Sequence, residues 1–150
     1  MLNFSIFCLL SSRINRYNVK YKRLLDQAKK AKRNSYSPHS KFRVGAAILT
    51  EDGKIFSGCN IENSSYSLTI CAERTAIFKA ISEGHRKFSA IAIISDLKEE
   101  IPPCGACRQV LFDLAGNIDV IMVGRKNTTK CCKLEELLPI PFDSSMLKHK

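Results

Sequence analysis

A chain of 150 residues that is 45% hydrophobic is long enough for one domain burying roughly two thirds of its unfolded surface. No apolar run approaches the ~20 residues needed to cross a bilayer, so the reading is a soluble protein. Seven cysteines are an odd number for a disulfide framework in a chain this rich in apolar core material, and metal-bound thiolates in a reducing compartment fit better.

The net charge of +10 is unevenly placed. Residues 1–43 hold eleven Lys or Arg against Asp26 alone, whereas from Val44 onward thirteen basic residues face thirteen acidic ones. The body is therefore formally neutral, and the charge makes no case for nucleic-acid binding there.

Residues 1–18 read as an N-terminal extension preceding a domain over 19–150. The stretch 1–16 lacks the basic start and small-residue cleavage pattern of a secretory signal. Its Ser and Arg content, with no acid before Asp26, is shared with organellar transit segments; a frayed or packed extension is the simpler reading. Between Val19 and Arg33, Tyr21, Leu24, Leu25 and Ala28 follow the rhythm of an amphipathic helix whose other face carries lysines. Turn formers over 34–40 end it. Phe42 to Leu49 reads as a strand, Glu51-Asp52-Gly53 as a hairpin turn and Lys54 to Cys59 as the returning strand. Ala72, Ala76, Ile77, Ala80 and Ile81 mark a second helix closed by Gly84. Ala90 to Ile94 is a continuous apolar run suited to a strand buried on both faces. After Pro102-Pro103 a third helix runs through Val110, Leu111 and Leu114 to Gly116, followed by a strand over Val120 to Val123. This alternation argues for a mixed sheet with helices on its faces.

Cys104-Gly-Ala-Cys107 alone is a zinc half-site, a redox pair or two unrelated thiols. Both cysteines open an expected helix, where backbone N–H groups and the helix dipole favour thiolates. Cys71 stands in the same position at the head of the preceding helix. Three such ligands on tetrahedral zinc leave one position for water, as in a catalytic site. A closed four-thiolate site recruiting Cys59, Cys131 or Cys132 is the structural alternative; otherwise those three, with Cys8, are ordinary thiols. Glu73, two residues after Cys71, is placed to reach a bound water and move its proton, though an acid in a first helical turn is also favoured by the dipole alone. Three thiolates on Zn²⁺ leave a formal charge of −1, which works against acidifying water, so a cation is needed nearby. Arg74 and Arg108, each adjacent to a ligand, are the candidates.

Cys71-Ala-Glu-Arg-Thr-Ala76 with Pro103-Cys-Gly-Ala-Cys-Arg-Gln-Val110 resembles the zinc signature of the cytidine deaminases, specifically the short-chain homotetrameric enzymes acting on free nucleosides. The resemblance spans about Tyr21 to Leu147 and includes Tyr36-Ser-Pro38, Ser40-Lys-Phe42, Val44-Gly-Ala-Ala47 and Gly58-Cys-Asn-Ile-Glu-Asn63. It implies a three-layer α/β/α sandwich with a five-stranded mixed sheet, one zinc ion per subunit, and a homotetramer with shared active sites in pyrimidine salvage. It further implies that Asn60 and Glu62 hold the sugar hydroxyls, that Ala72 reads the base through its backbone, and that Phe42, Tyr66 and Phe142 wall the pocket, the last two reaching a neighbouring subunit. A cytoplasmic location is expected, or an organellar one if residues 1–16 act in transit. His39, where the family commonly has Tyr, and Pro141, in place of a small residue, depart from the pattern.

The implied reaction is hydrolysis of cytidine or deoxycytidine to uridine or deoxyuridine and ammonia, with Glu73 taking a proton from the water and delivering it to N3 as attack occurs at C4. Rival readings are a deaminase of another aminopyrimidine nucleoside such as blasticidin S, a nucleic-acid editor or binding protein, and a thioredoxin-like protein built on Cys104 and Cys107.

Overall fold

Small residues on one face of the sheet and larger ones on the other decide how it is covered. The structure is a computed structural model describing residues 20–125 and 128–147; the expected extension over 1–18 lies outside the described residues. In chain order the elements are α1 (Lys22–Lys32), β1 (Val44–Thr50), β2 (Ile55–Cys59), α2 (Ala72–Ser82), β3 (Phe88–Ser95), α3 (Gly105–Ala115), β4 (Asp119–Val123), β5 (Thr129–Lys133) and α4 (Leu134–Leu137). The sheet order is β2-β1-β3-β4-β5. Strand β1 runs antiparallel to β2 and β3, β3 parallel to β4, and β4 antiparallel to β5. The mixed five-stranded sheet between helices is the architecture expected from the resemblance.

The two-residue period of the strands sorts their side chains between two cores. Ala47, Ala90, Ala92, Ile94, Ile121 and Val123 pack with Tyr21, Leu24 and Ala28 of the α1 segment. The intervening Ala46, Ile48, Ile91, Ile93, Val120 and Met122 pack with Ala76 and Ile77 of α2 and Leu111 of α3. Ile77, Ile91, Ile93 and Leu111 are fully buried, each contributing about 1.5–3 kcal/mol by leaving water. Lysines 29, 30 and 32 occupy the last turn of α1, on its carbonyl end where cations are favoured. Lys32 and Arg43 both reach Asp96 at 2.8 Å, tying the end of α1 and the approach to β1 to the end of β3.

Strand β5 pairs with β4 at the sheet edge and has no signature in the sequence. Its sequence, Thr-Lys-Cys-Cys-Lys, has no apolar run, because an edge strand needs only one partner and its lysines discourage a second. Cys131 and Cys132, read as ordinary thiols, are half-buried on it.

Direction within the sheet positions the functional end of the molecule. Since β2 and β3 both oppose β1, they point the same way. The helices that follow them, α2 and α3, therefore both begin at the carboxyl end of those strands, where ligands bind in open α/β sheets. The depth of α2 is set by Gly58 on β2, where a Cβ would sit 2.6 Å from the Ala76 nitrogen and 2.8 Å from the Ala72 carbonyl oxygen. Gly58→Ala should lower stability by about 1–3 kcal/mol, the usual cost of overpacking, measured by urea unfolding; an unchanged midpoint would show that α2 is not seated on this glycine.

Candidate metal centre and its surroundings

Cys71 is the N-cap of α2 and Cys104 the N-cap of α3, and neither makes a side-chain capping bond. Their sulfurs are thus left for another partner. Cys107, in the first turn of α3, is fully buried. The three sulfurs lie within 4.8 Å of one another, with Cys71 and Cys104 at 3.9 Å. Tetrahedral zinc with ~2.3 Å bonds to sulfur requires sulfurs about 3.8 Å apart, so donor type and spacing both fit that ion. Among the described residues no fourth sulfur joins the group: the Cys59 thiol donates to the Asn34 carbonyl instead. The closed four-thiolate alternative thereby loses its support, and a three-ligand site keeps an open coordination position.

The Arg74 guanidinium donates to Cys71 Sγ at 3.6 Å and to the Thr69 carbonyl at 3.2 Å. Its Nε is buried with no hydrogen-bond partner among the described residues. The thiols share their protons unequally. Cys71 is drawn down to about 5 by a hydrogen bond from Cys107, against the effect of burial and with help from Arg74 and Cys104. Cys107 is pushed upward by the same bond, by burial and by the Glu73 carboxylate. A divalent cation removes that competition by replacing the protons. Arg108 is directed elsewhere: it donates to the carbonyls of Pro103, at 2.8 Å, and Leu137, at 3.0 Å. It thus braces the loop entering Cys104, and the cation directly on a thiolate is Arg74.

Glu73, the second residue of α2, is only 4% exposed. Its carboxyl is raised to about 7, first by burial and then by the Cys71 thiolate, against the pull of its own backbone N–H, Cys107 and Arg74. A carboxyl held near neutrality can both take and return a proton. Ala72, beside it, is wholly buried; as the first helical residue it has a backbone N–H without an intrahelical acceptor.

The segment after β2 runs between the site and the turn before β1. Ile61 bridges to Tyr36 on one side and to Ile70 on the other, and Ile70 immediately precedes Cys71. Asn60 is buried and uses most of its amide inside the protein: Nδ2 donates to the Phe42 carbonyl at 2.8 Å, while Oδ1 accepts from Val44 N at 2.8 Å and the Ser35 hydroxyl at 2.6 Å. One amide hydrogen remains for a ligand. Glu62 accepts from the backbone N–H groups of His39, at 2.8 Å, and Ser40, at 3.2 Å, and from the Ser40 hydroxyl. Those bonds, with Phe42 N donating to Ser40 Oγ at 3.0 Å, hold Lys41 in a left-handed conformation at φ 57° that a non-glycine residue adopts only when its surroundings impose it. Phe42 is thereby aimed into the α2–α3 core, against which it packs half-buried.

His39, Ser40, Glu62, Tyr66 and Thr69 line a cavity of ≈ 420 Å³, within the size range of small-molecule sites. The His39 and Tyr66 rings meet edge to face at 5.5 Å. Thr69 joins this cavity to the cysteines, because Arg74 bonds both its carbonyl and Cys71. Phe142, the remaining aromatic candidate, lies in the C-terminal segment with its ring exposed. Ser40, Thr69 and Gln109 have no role in the sequence pattern by itself. Gln109, two residues after Cys107, and Ser40, before Phe42, both stand in quoted motifs; Thr69 stands in none.

Residues 18–124 match the family described as "Cytidine and deoxycytidylate deaminase zinc-binding region". A cytidine deaminase of Sporosarcina psychrophila is 47% identical over 128 residues, covering 85% of this chain and 94% of that protein. The crystal structure of cytidine deaminase from Burkholderia pseudomallei is similar with a TM-score of 0.79 and 43% identity, over 81% of this chain and 98% of that one. A blasticidin-S deaminase of Bacillus cereus is less similar, at 34% identity over 111 residues, 69% of this chain and 79% of that protein.

If Arg74 offsets the charge of the thiolates, Arg74→Gln should hold zinc about 10–100-fold less tightly in competition with a chelator, the range for partners of metal ligands. Removing residues 1–18 should leave that competition unchanged. Equal zinc retention by Arg74→Gln and the native chain would dismiss the electrostatic account.

Proposed function

The chain belongs to the cytidine and deoxycytidylate deaminase zinc-binding family, and from that membership and the geometry of the site we propose how it carries out the hydrolytic deamination of cytidine and deoxycytidine to uridine and deoxyuridine, releasing ammonia. The observation that carries the proposal is the meeting of Cys71, Cys104 and Cys107 sulfurs within 4.8 Å at the helix end where Glu73 is buried. Relatives named cytidine deaminase reach 48% identity against 34% for the one named blasticidin-S deaminase, which favours the ordinary nucleoside.

Cys71, Cys104 and Cys107 would hold one zinc ion per subunit, and bound there it would supply Lewis acidity and an open position at which a water becomes nucleophilic at neutral pH. Glu73 accepts the proton of the attacking water and passes it to N3 of the pyrimidine, which makes C4 more electrophilic. The same carboxylate then takes the second proton from the hydroxyl now on C4 and delivers it to the amine; the C4 oxygen becomes the carbonyl, the C4–N bond breaks, and ammonia leaves. Burial of Glu73 serves both transfers by keeping its two protonation states close in energy. Arg74 holds Cys71 as a thiolate. The Ala72 N–H is offered to the base, while the spare amide hydrogen of Asn60 and the carboxylate of Glu62 receive the sugar hydroxyls.

Phe42, Tyr66 and Phe142 are proposed as the aromatic wall, with Tyr66 and Phe142 supplied to a neighbouring subunit of a homotetramer. Support comes from Tyr66, Leu68, Ile140 and Phe142, each a large apolar side chain left exposed in the single chain, as surface covered on association would be. No helix among the described residues is long and apolar enough to cross a membrane, and a site built on free thiolates works in a reducing compartment such as the cytoplasm.

Glu73→Gln tests the assignment. It should retain zinc while cytidine turnover, followed by absorbance, falls by at least ~10²–10⁴-fold, the contribution of a positioned general acid–base. Turnover within a few fold of the native rate would remove Glu73 from the mechanism.

A further inference from the structure

The C-terminal segment is fastened to α3 by two consecutive side chains. Arg108 takes the Leu137 carbonyl at 3.0 Å. Gln109 takes both polar groups of one residue: Phe142 N donates to Gln109 Oε1 at 3.2 Å, and Gln109 Nε2 donates to the Phe142 carbonyl at 2.6 Å. An amide used this way copies the pairing of a neighbouring strand, because it offers one acceptor and one donor side by side.

That clamp reads only backbone, so what it fixes is the place of residue 142 and the direction of its Cβ. The ring it aims is 55% exposed and absent from both hydrophobic clusters. Packing within this chain therefore does not account for holding it. Pro141 precedes it and removes a further backbone donor from the segment, and the amide of Gln109 bonds both polar groups of the Phe142 main chain. Gln109 lies on the same helix as Cys107, two residues on, and the clamp therefore presents Phe142 from a rigid element, from which, in the proposed assembly, its ring reaches the neighbouring subunit's site.

We propose that Gln109 is a positioning residue for deamination, holding the main chain of Phe142 so that its ring forms part of the nucleoside site. The proposal rests on the deaminase reading and on Phe142 as a pocket wall. Its effect is on binding and not on the chemical step, since Gln109 touches neither sulfur nor Glu73 in any bond of the site.

Gln109→Met keeps length and volume and removes both bonds. In the zinc-loaded, full-length protein it should speed hydrogen–deuterium exchange at the Phe142 amide and raise KM for cytidine roughly tenfold, the combined effect of two ordinary hydrogen bonds, with kcat and zinc content near native. Gln109→Glu, which keeps the acceptor and loses the donor, should fall between. In a Phe142→Leu background Gln109→Met should add little further to KM. An unchanged KM in Gln109→Met, or a full additional rise on top of Phe142→Leu, overturns the proposal while leaving the deaminase reading standing. Zinc-loaded native protein that does not turn over cytidine overturns the reading and this proposal together.

Discussion

Both helices that carry the cysteines begin at one end of the sheet because β2 and β3 each run antiparallel to β1. This strand sense is the constraint on which the site depends. It brings two sets of unpaired helical N–H groups to the same place, and the sulfurs at those ends come within 4.8 Å of one another. Had either strand run the other way, Cys71 would face the opposite edge from Cys104 and Cys107. The close seating of α2 on Gly58 then turns rough proximity into metal-ligand spacing.

Gathering three cysteine sulfurs, of which Cys107 is buried, beside the buried carboxyl of Glu73 is electrostatically unfavourable if all are charged, and the charges around them reflect that. The basic excess of the chain lies before Val44, apart from the motif. What acts locally is Arg74, bonded to Cys71 and with its Nε enclosed, together with the two helix ends. Glu73 responds to the same surroundings with a carboxyl raised to about 7. Burial is the larger cause, so the poise belongs to the fold more than to any single neighbour.

The residues around the cavity show how few polar groups are left over for a ligand. Asn60 and Glu62 spend most of their hydrogen-bonding capacity on Phe42, Val44, Ser35, His39 and Ser40, and the left-handed Lys41 is held by those contacts. As the proposed sugar-binding pair, Asn60 and Glu62, which also splice the start of β1 to the segment before Cys71, would couple recognition to the frame of the site. Gln109 does the equivalent for the C-terminal segment. Rigid support of this kind limits the entropy lost when a small molecule is bound.

Local pattern determined much of this protein. The 3.6-residue rhythm marks α1, α2 and α3, the apolar run at Ala90 to Ile94 marks the central strand, and cysteines at helix heads mark the three thiols that meet in the fold, because periodicity and spacing are properties of neighbours in sequence. Strand β5 escaped, since an edge strand of lysines and cysteines has no pattern of its own until β4 supplies one. Arg74 and Arg108 looked equivalent beside their ligands, yet only Arg74 turns toward a thiolate while Arg108 reaches Leu137. The 33-residue separation between Gln109 and Phe142 hid their clamp altogether. Such features were decided by tertiary structure alone, because strand direction and the path of a returning segment determine which side chains meet across long stretches of sequence.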